Sequence, residues 1–201
     1  FGTYHERVVI DLNDITLLGI PNANGEWPTM DGEGVLPEAV VSSGNNFEVG
    51  YLRVINYTST GILVEGATGV HMHHTFAENT GIYGLYPVKS TDVLIEDSVV
   101  IGTRDAGIYA GQSAKVVIRN NEVYGNVLGI EAENTVDTEI YGNHAHDNTM
   151  GILVVLLPNL TAKVNLYTKV YDNLIENNNL ANFADAGTAA AIAPPGSGIA
   201  L

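Results

Sequence analysis

Gly107-Ile108-Tyr109-Ala110, Gly129-Ile130-Glu131-Ala132 and Gly151-Ile152-Leu153-Val154 are three versions of one tetrad: glycine, isoleucine, any residue, then a small or apolar one. Gly61-Ile62-Leu63-Val64 and Gly81-Ile82-Tyr83-Gly84 precede them, and Gly198-Ile199-Ala200-Leu201 restarts the pattern at the far end. The glycines recur about every 20 to 26 residues, a period that belongs to a solenoid. Between them lie short alternating stretches: Val70-His71-Met72-His73, Val93-Leu94-Ile95-Glu96, Val116-Val117-Ile118-Arg119, Thr138-Glu139-Ile140-Tyr141 and Lys169-Val170-Tyr171-Asp172. A third stretch follows an asparagine, as in Asn121-Glu122-Val123-Tyr124-Gly125-Asn126 and Asn143-His144-Ala145-His146-Asp147-Asn148. Each period therefore holds three strands.

No part of this region keeps a 3.6-residue period, and one period leaves no room for two strands and a crossover helix. The sequence predicts an all-β, right-handed, single-stranded parallel β-helix of three strands per coil. Alternate strand residues then stack inward about 4.8 Å apart, which puts Ile62, Ile82, Ile108, Ile130 and Ile152 in one column and Val64, Gly84, Ala110, Ala132 and Val154 in the next. The tetrad glycine suits a tight bend or a close approach. The asparagines suit turns in which a side-chain amide bonds its counterpart on the next coil.

We expect one β-helix domain over residues 1–201 that is part of a longer chain. Residues 1–45 form an irregular coil with a large loop, because Gly19-Ile20-Pro21-Asn22-Ala23-Asn24-Gly25-Glu26-Trp27-Pro28 is turn-rich, and 179–197 form an inserted loop. An open last coil implies a protein partner, or more chain, capping that end.

Composition narrows function. Eight basic against 23 acidic residues give a net charge of -15, which repels nucleic acid and anionic membranes. The absence of cysteine excludes disulfides and thiolate metal sites. No apolar run approaches the about 20 residues of a membrane span, and the first residues hold no apolar signal-peptide core.

The tetrads, with Leu85-Tyr86-Pro87-Val88 after the second, Gly111-Gln112-Ser113 after the third and Leu157-Pro158 after the last, resemble the exported bacterial and archaeal parallel β-helix repeat-containing proteins. The resemblance covers residues 45 to 201. It implies an exported protein, secreted, periplasmic or at the cell surface and often a lipoprotein, and no particular reaction. More remotely the chain is similar to the β-helix pectate and alginate lyases, C5-epimerases and polygalacturonases. It lacks the epimerases' Asp-Pro-His-Asp motif and the polygalacturonases' Asn-Thr-Asp, Asp-Asp and Gly-His-Gly motifs, so no catalytic residue carries over.

Any function must then rest on outward positions. Glu131 and Glu133 point out of one strand about 7 Å apart, beside Tyr109, Gln112 and the Arg104-Asp105 bend of the coil before. Two such carboxylates suit acid–base chemistry with Arg104 and Tyr109, or a shared Ca²⁺ as cofactor, while Tyr83, Tyr109, Gln112 and Asp105 would hold sugar rings. The plain alternative is a solvated acidic strand. His71 and His73, with His74, could bind a metal or act as a base, although no third ligand stands at a telling spacing. His144, His146 and Asp147 are a weaker cluster, and Arg119 is an alternative to Arg104. The expected function is polysaccharide binding or modification along the tetrad face, of lyase or epimerase type if catalytic. The alternative is a non-catalytic structural or assembly module of an exported complex; convergence of Glu131, Glu133, Tyr109 and Arg104 in a concavity would favour the first, and cover over them by 181–197 or a partner the second.

Overall fold

The computed structural model describes residues 2–201; Phe1, which opens the expected irregular coil, lies outside the described residues. All strand pairing among the described residues is parallel, as the repeat demands, and the strands stack into a β-helix with three faces. The first face is an eight-stranded sheet: Val8–Ile10, Glu38–Ser42, Thr60–Glu65, Tyr83–Val88, Ala106–Gly111, Leu128–Glu133, Met150–Val155 and Ser197–Ala200. The other two faces are continuous at one edge through the long strands Phe47–Ile55 and Thr68–Glu78, which turn the corner without a break. Beyond them the second face runs through Thr91–Glu96, Ala114–Arg119, Val136–Tyr141 and Lys169–Tyr171. The third runs through Val99–Ile101, Glu122–Tyr124, His144–His146 and Leu174–Glu176. The only helix among the described residues is the four-residue 3₁₀ turn Ala189–Ile192.

Equivalent positions lie 23 residues apart from Ile62 to Leu85 and Ile108, and 22 apart from there to Ile130 and Ile152. Ile62, Leu85, Ile108, Ile130 and Ile152 form the inner column of the first face and are fully buried. This corrects the expected column at one coil, where Leu85 replaces Ile82 and Pro87 replaces Gly84. The stretch Gly81-Ile82-Tyr83-Gly84-Leu85 contains the glycine–aliphatic pair twice, and only the second is in phase. Gly81 instead adopts a φ of +73° in the bend before the strand. Met72, Ile95, Ile118 and Ile140 supply the second face, and Ala77, Val100, Val123 and Ala145 the third. Each fully buried Ile or Leu stabilises by about 1.5–3 kcal/mol.

The tetrad glycines are required by proximity. A Cβ on Gly84, Gly107 or Gly129 would stand 2.6, 2.8 or 2.6 Å from the carbonyl oxygen of the next glycine in the column. The asparagines form two buried ladders at the corners. Asn121 donates both its backbone N–H and its Nδ2 to Oδ1 of Asn143, and Asn143 does the same to Asn173. Asn126, Asn148 and Asn178 repeat the arrangement.

Two insertions leave the coils. Residues 156–168 emerge after Met150–Val155, and 177–196 emerge after Leu174–Glu176. The second is pinched at its base, where the N–H of Gly196 donates to the carbonyls of Asn178 at 2.8 Å and Thr149 at 3.2 Å.

Candidate functional site

Two kinds of outward site stand out. The first lies on the first face. The column outside Ile108 and Ile130 runs Leu63, Tyr86, Tyr109, Glu131, Leu153, and beside it run Glu65, Val88, Gly111, Glu133, Val155. Because Gly111 has no side chain, the Tyr109 ring folds over it, 3.1 Å from where a Cβ would be, and its hydroxyl donates to Glu133 on the next coil. Tyr83 and Tyr86 complete a cluster of three rings with centroids 4.6–4.7 Å apart. Across from them, Ala189, Ala190, Ile192, Ala193 and Pro194 of the second insertion form a wall. Between lies a cavity of about 270 Å³, lined also by Asp105, Leu128, Glu131, Glu133, Met150, Leu153, Val155 and Leu157.

Glu131 and Glu133 are therefore each only 7% exposed, against the expectation of a solvated or groove-facing strand. Strand alternation put them on the outer side, and the wall from 181–197 covers that side while leaving a cavity beneath it, so the two carboxyls share a concavity that Arg104 does not join. Burial pushes the Glu131 carboxyl well above the usual carboxylate range, and the neighbouring Asp105 and Glu133 add to it. Asp105 is raised to about 6 by burial, against the hydrogen bond from Tyr83 and with help from Glu133. Glu133 is raised by burial despite the Tyr109 hydroxyl. No Lys, Arg or His lines the cavity among the described residues.

Of the sequence-selected residues, Tyr83, Asp105, Glu131 and Glu133 meet at the cavity, and Tyr109 reaches it through Glu133. Arg104 does not join them: its Nε lies 3.2 Å from Asp185 on the second insertion, half-exposed. Gln112 is a corner residue with φ +49°, and its Oε1 accepts from the N–H groups of Thr161 and Ala162 on the first insertion. Arg119 holds Glu96 on the second face, with Nε and Nη2 at 2.7 and 2.6 Å.

The second kind of site occurs twice. On the second face His71 and His73 project outward and His73 is buried, with Glu48 on the preceding coil opposite His71 and Glu96 on the following coil opposite His73. On the third face the same four positions carry Glu122, His144, His146 and Glu176. The geometries match pairwise. His73 Nε2 is 3.1 Å from Glu48 Oε1, and His146 Nε2 is 3.3 Å from Glu122 Oε1. His71 and His144 each place Nδ1 4.0 Å from the same glutamate oxygen. Their Nε2 atoms turn to Glu96 at 2.9 Å and Glu176 at 3.2 Å. The imidazole centroids are 4.4 and 4.1 Å apart, tilted by 32° and 31°. Even the next residue matches: His73 Nδ1 bonds His74 Nδ1 and His146 Nδ1 bonds Asp147 Oδ2, at 2.9 and 2.8 Å, with φ of +46° and +50° at those two partners.

In each triad one carboxylate oxygen and two imidazole nitrogens lie within 4.8 Å of one another, while the opposite ring nitrogens are bonded outward. That is a two-histidine, one-carboxylate donor set with the outer hydrogen bonds that orient metal-bound histidines. Its nitrogen and oxygen donors suit Cu(II), Zn(II) or Ni(II), and the donor set has no soft thiolate for Cu(I). Sequence reasoning missed both glutamates because it sought a third ligand near the histidines along the chain. Subtracting one coil from His71 or His144 lands on Glu48 or Glu122.

Stacked coils with dry inner columns and chemistry confined to outward positions define a parallel β-helix whose coils act as a scaffold for surface sites. The chain belongs to the family described as periplasmic copper-binding protein (NosD), whose model matches residues 25–191. No curated protein sequence matches it. Among solved structures it is similar to the A-module of mannuronan C-5 epimerase AlgE4 from Azotobacter vinelandii, at 16% identity and a TM-score of 0.45, covering 86% of this chain and 59% of that one. It is also similar to an alginate lyase from a Paenibacillus species, at 14% identity and a TM-score of 0.43, covering 82% and 87%. Among the described residues no helix is long and apolar enough to cross a membrane.

Proposed function

We propose that this β-helix binds a divalent transition-metal ion at each of its two Glu–His–His–Glu sites, copper(II) foremost, as an exported protein. The observation that carries this is the repetition of one arrangement, down to the outer partners, on two faces of the solenoid. Hydrogen bonding alone gives no reason for a second copy with the same two nitrogens turned to the same glutamate oxygen. Glu48, His71 Nδ1 and His73 Nε2 would hold one ion, and Glu122, His144 Nδ1 and His146 Nε2 the other. Glu96, itself held by Arg119, and Glu176 would orient the histidines through their free nitrogens. Copper follows from the family description and from the divalent affinity order, in which Cu(II) binds N/O sites most tightly. Equilibrium dialysis with Cu(II) should give two ions per chain, and one after His71→Ala/His73→Ala. Undiminished binding in a variant lacking all four histidines would refute the reading.

A second reading, that the chain binds or modifies polysaccharide, is favoured by the tyrosine cluster and carboxyls around one cavity on the tetrad face. A Ca²⁺ there would need about six to eight oxygens. The three carboxyls stand among apolar walls, which suit an organic ligand better. Retention of the protein on a polysaccharide array, abolished by Tyr83→Ala, tests it; no retention on any polymer counts against it.

A further inference from the structure

We propose that the cavity between the first face and the 189–194 wall binds one small organic ammonium ion, seated with its N–H groups on Glu131 and its apolar body against the wall. This rests on the second reading only in taking the cavity as a ligand site.

Four observations converge. Every ionisable side chain other than tyrosine that lines the cavity is an acid, and Arg104, which the sequence placed beside Glu131, faces Asp185 instead. A uronate would enter a pocket of carboxyls with no cation to meet it, and a protonated amine would enter one built of acceptors. Glu131 supplies the second point. It is 7% exposed and lines the cavity, and no side-chain hydrogen bond contributes to its raised carboxyl. A carboxyl shielded from bulk water gains from a donor, and a ligand bearing N–H groups in the cavity supplies one. Third, Leu128, Met150, Leu153, Val155, Ile192 and Pro194 form apolar walls, and Tyr83 adds an aromatic ring that can attract a cation. Fourth, a volume of about 270 Å³ behind the wall accommodates one ring-sized molecule, and the pinch at Gly196 anchors the insertion that carries the wall. Because burial holds these carboxyls toward their protonated forms, binding of a cation displaces a proton from the acid group to solvent.

Two sources carry this chemistry, an amino sugar and a non-sugar cyclic amine, so calorimetry should compare glucosamine and cyclohexylammonium with glucose, cyclohexanol and glucuronate, with EDTA keeping the histidine sites metal-free. At least one ammonium probe should bind about ten-fold or more tightly than its neutral isostere, with proton release read from buffers of different ionisation enthalpy. Glucosamine alone would mark an amino sugar, and cyclohexylammonium a simple amine. Glu131→Gln should abolish that preference while a thermal melt shows it folded. Neutral sugars binding as well as or better than the ammonium probes would overturn the inference and leave the saccharide reading standing. An ammonium preference untouched by Glu131→Gln would also overturn it. Binding of no probe at all would overturn both.

Discussion

Replacing Asp105 with Asn should make the protein more stable at neutral pH and leave it little changed in acid. Asp105 binds its proton more tightly in the folded chain, with a pKa of about 6 against 3.8 in the open. Between those values the folded state holds more protons than the unfolded one, so stability falls as pH rises. Each unit is worth about 1.4 kcal/mol, so the full shift removes about 3 kcal/mol once the pH exceeds about 7. At about pH 4 the loss has scarcely begun. The amide keeps the shape and the acceptor that Tyr83 uses, and it carries no charge against Glu131 and Glu133. For a chain of this size about 3 kcal/mol corresponds to a rise in Tm of about 6–12 °C. Circular dichroism melts of the two proteins at about pH 4 and pH 7.5 would read it directly. A variant that melts at or below the wild type at neutral pH, or one whose advantage is the same at both, would refute the burial argument.

Three further outcomes follow from the ladders and the proposed metal sites. Asn126→Ala strips a buried amide whose Oδ1 accepts from Thr103 and whose Nδ2 donates to Val100 and Asn148. At about 1–3 kcal/mol for each buried group left unpaired, urea unfolding should show a loss of more than about 2 kcal/mol. Gly129→Ala puts a methyl 2.6 Å from the Gly151 carbonyl oxygen and should cost about 3 kcal/mol, whereas Gly198→Ala, whose nearest neighbour is 3.6 Å away, should melt like the wild type. Asp147→Ala removes the outer partner of His146 and should weaken Cu(II) at that site about 10–100-fold. It should leave quenching of Trp27 intact, because that single tryptophan lies 6.4 Å from the His74 ring at the other site.

The fold was legible because a solenoid writes the same physical requirement once per coil. Close approach demands glycine, a dry column demands Ile, Leu or Val, and a buried corner demands asparagine. The one misplaced coil, at Ile82 and Gly84, failed where Gly81-Ile82 and Gly84-Leu85 compete, and the 22- to 23-residue step selects the latter. The outward direction of Glu131 and Glu133 was equally readable from alternation. Their burial was not, because the residues that cover them lie some sixty positions on, in a segment without a repeat. The histidine sites were half legible. His71-Met72-His73 and His144-Ala145-His146 declare themselves within one strand, but Glu48 and Glu122 become neighbours only when the coil step is applied to outward residues as well as inward ones.

The pinch at Asn178 and Gly196 separates two kinds of heritable change. Beyond Ala181, which with the residue before it still bonds Thr149 and Asn148, the segment can change in length at small cost to the coils, since the backbone leaves and re-enters the stack at one point. The acidic floor of the cavity belongs to the rigid frame and its lid to the replaceable segment. On the proposed reading of the cavity, grafting a different lid over the unchanged floor would change which ligand it takes.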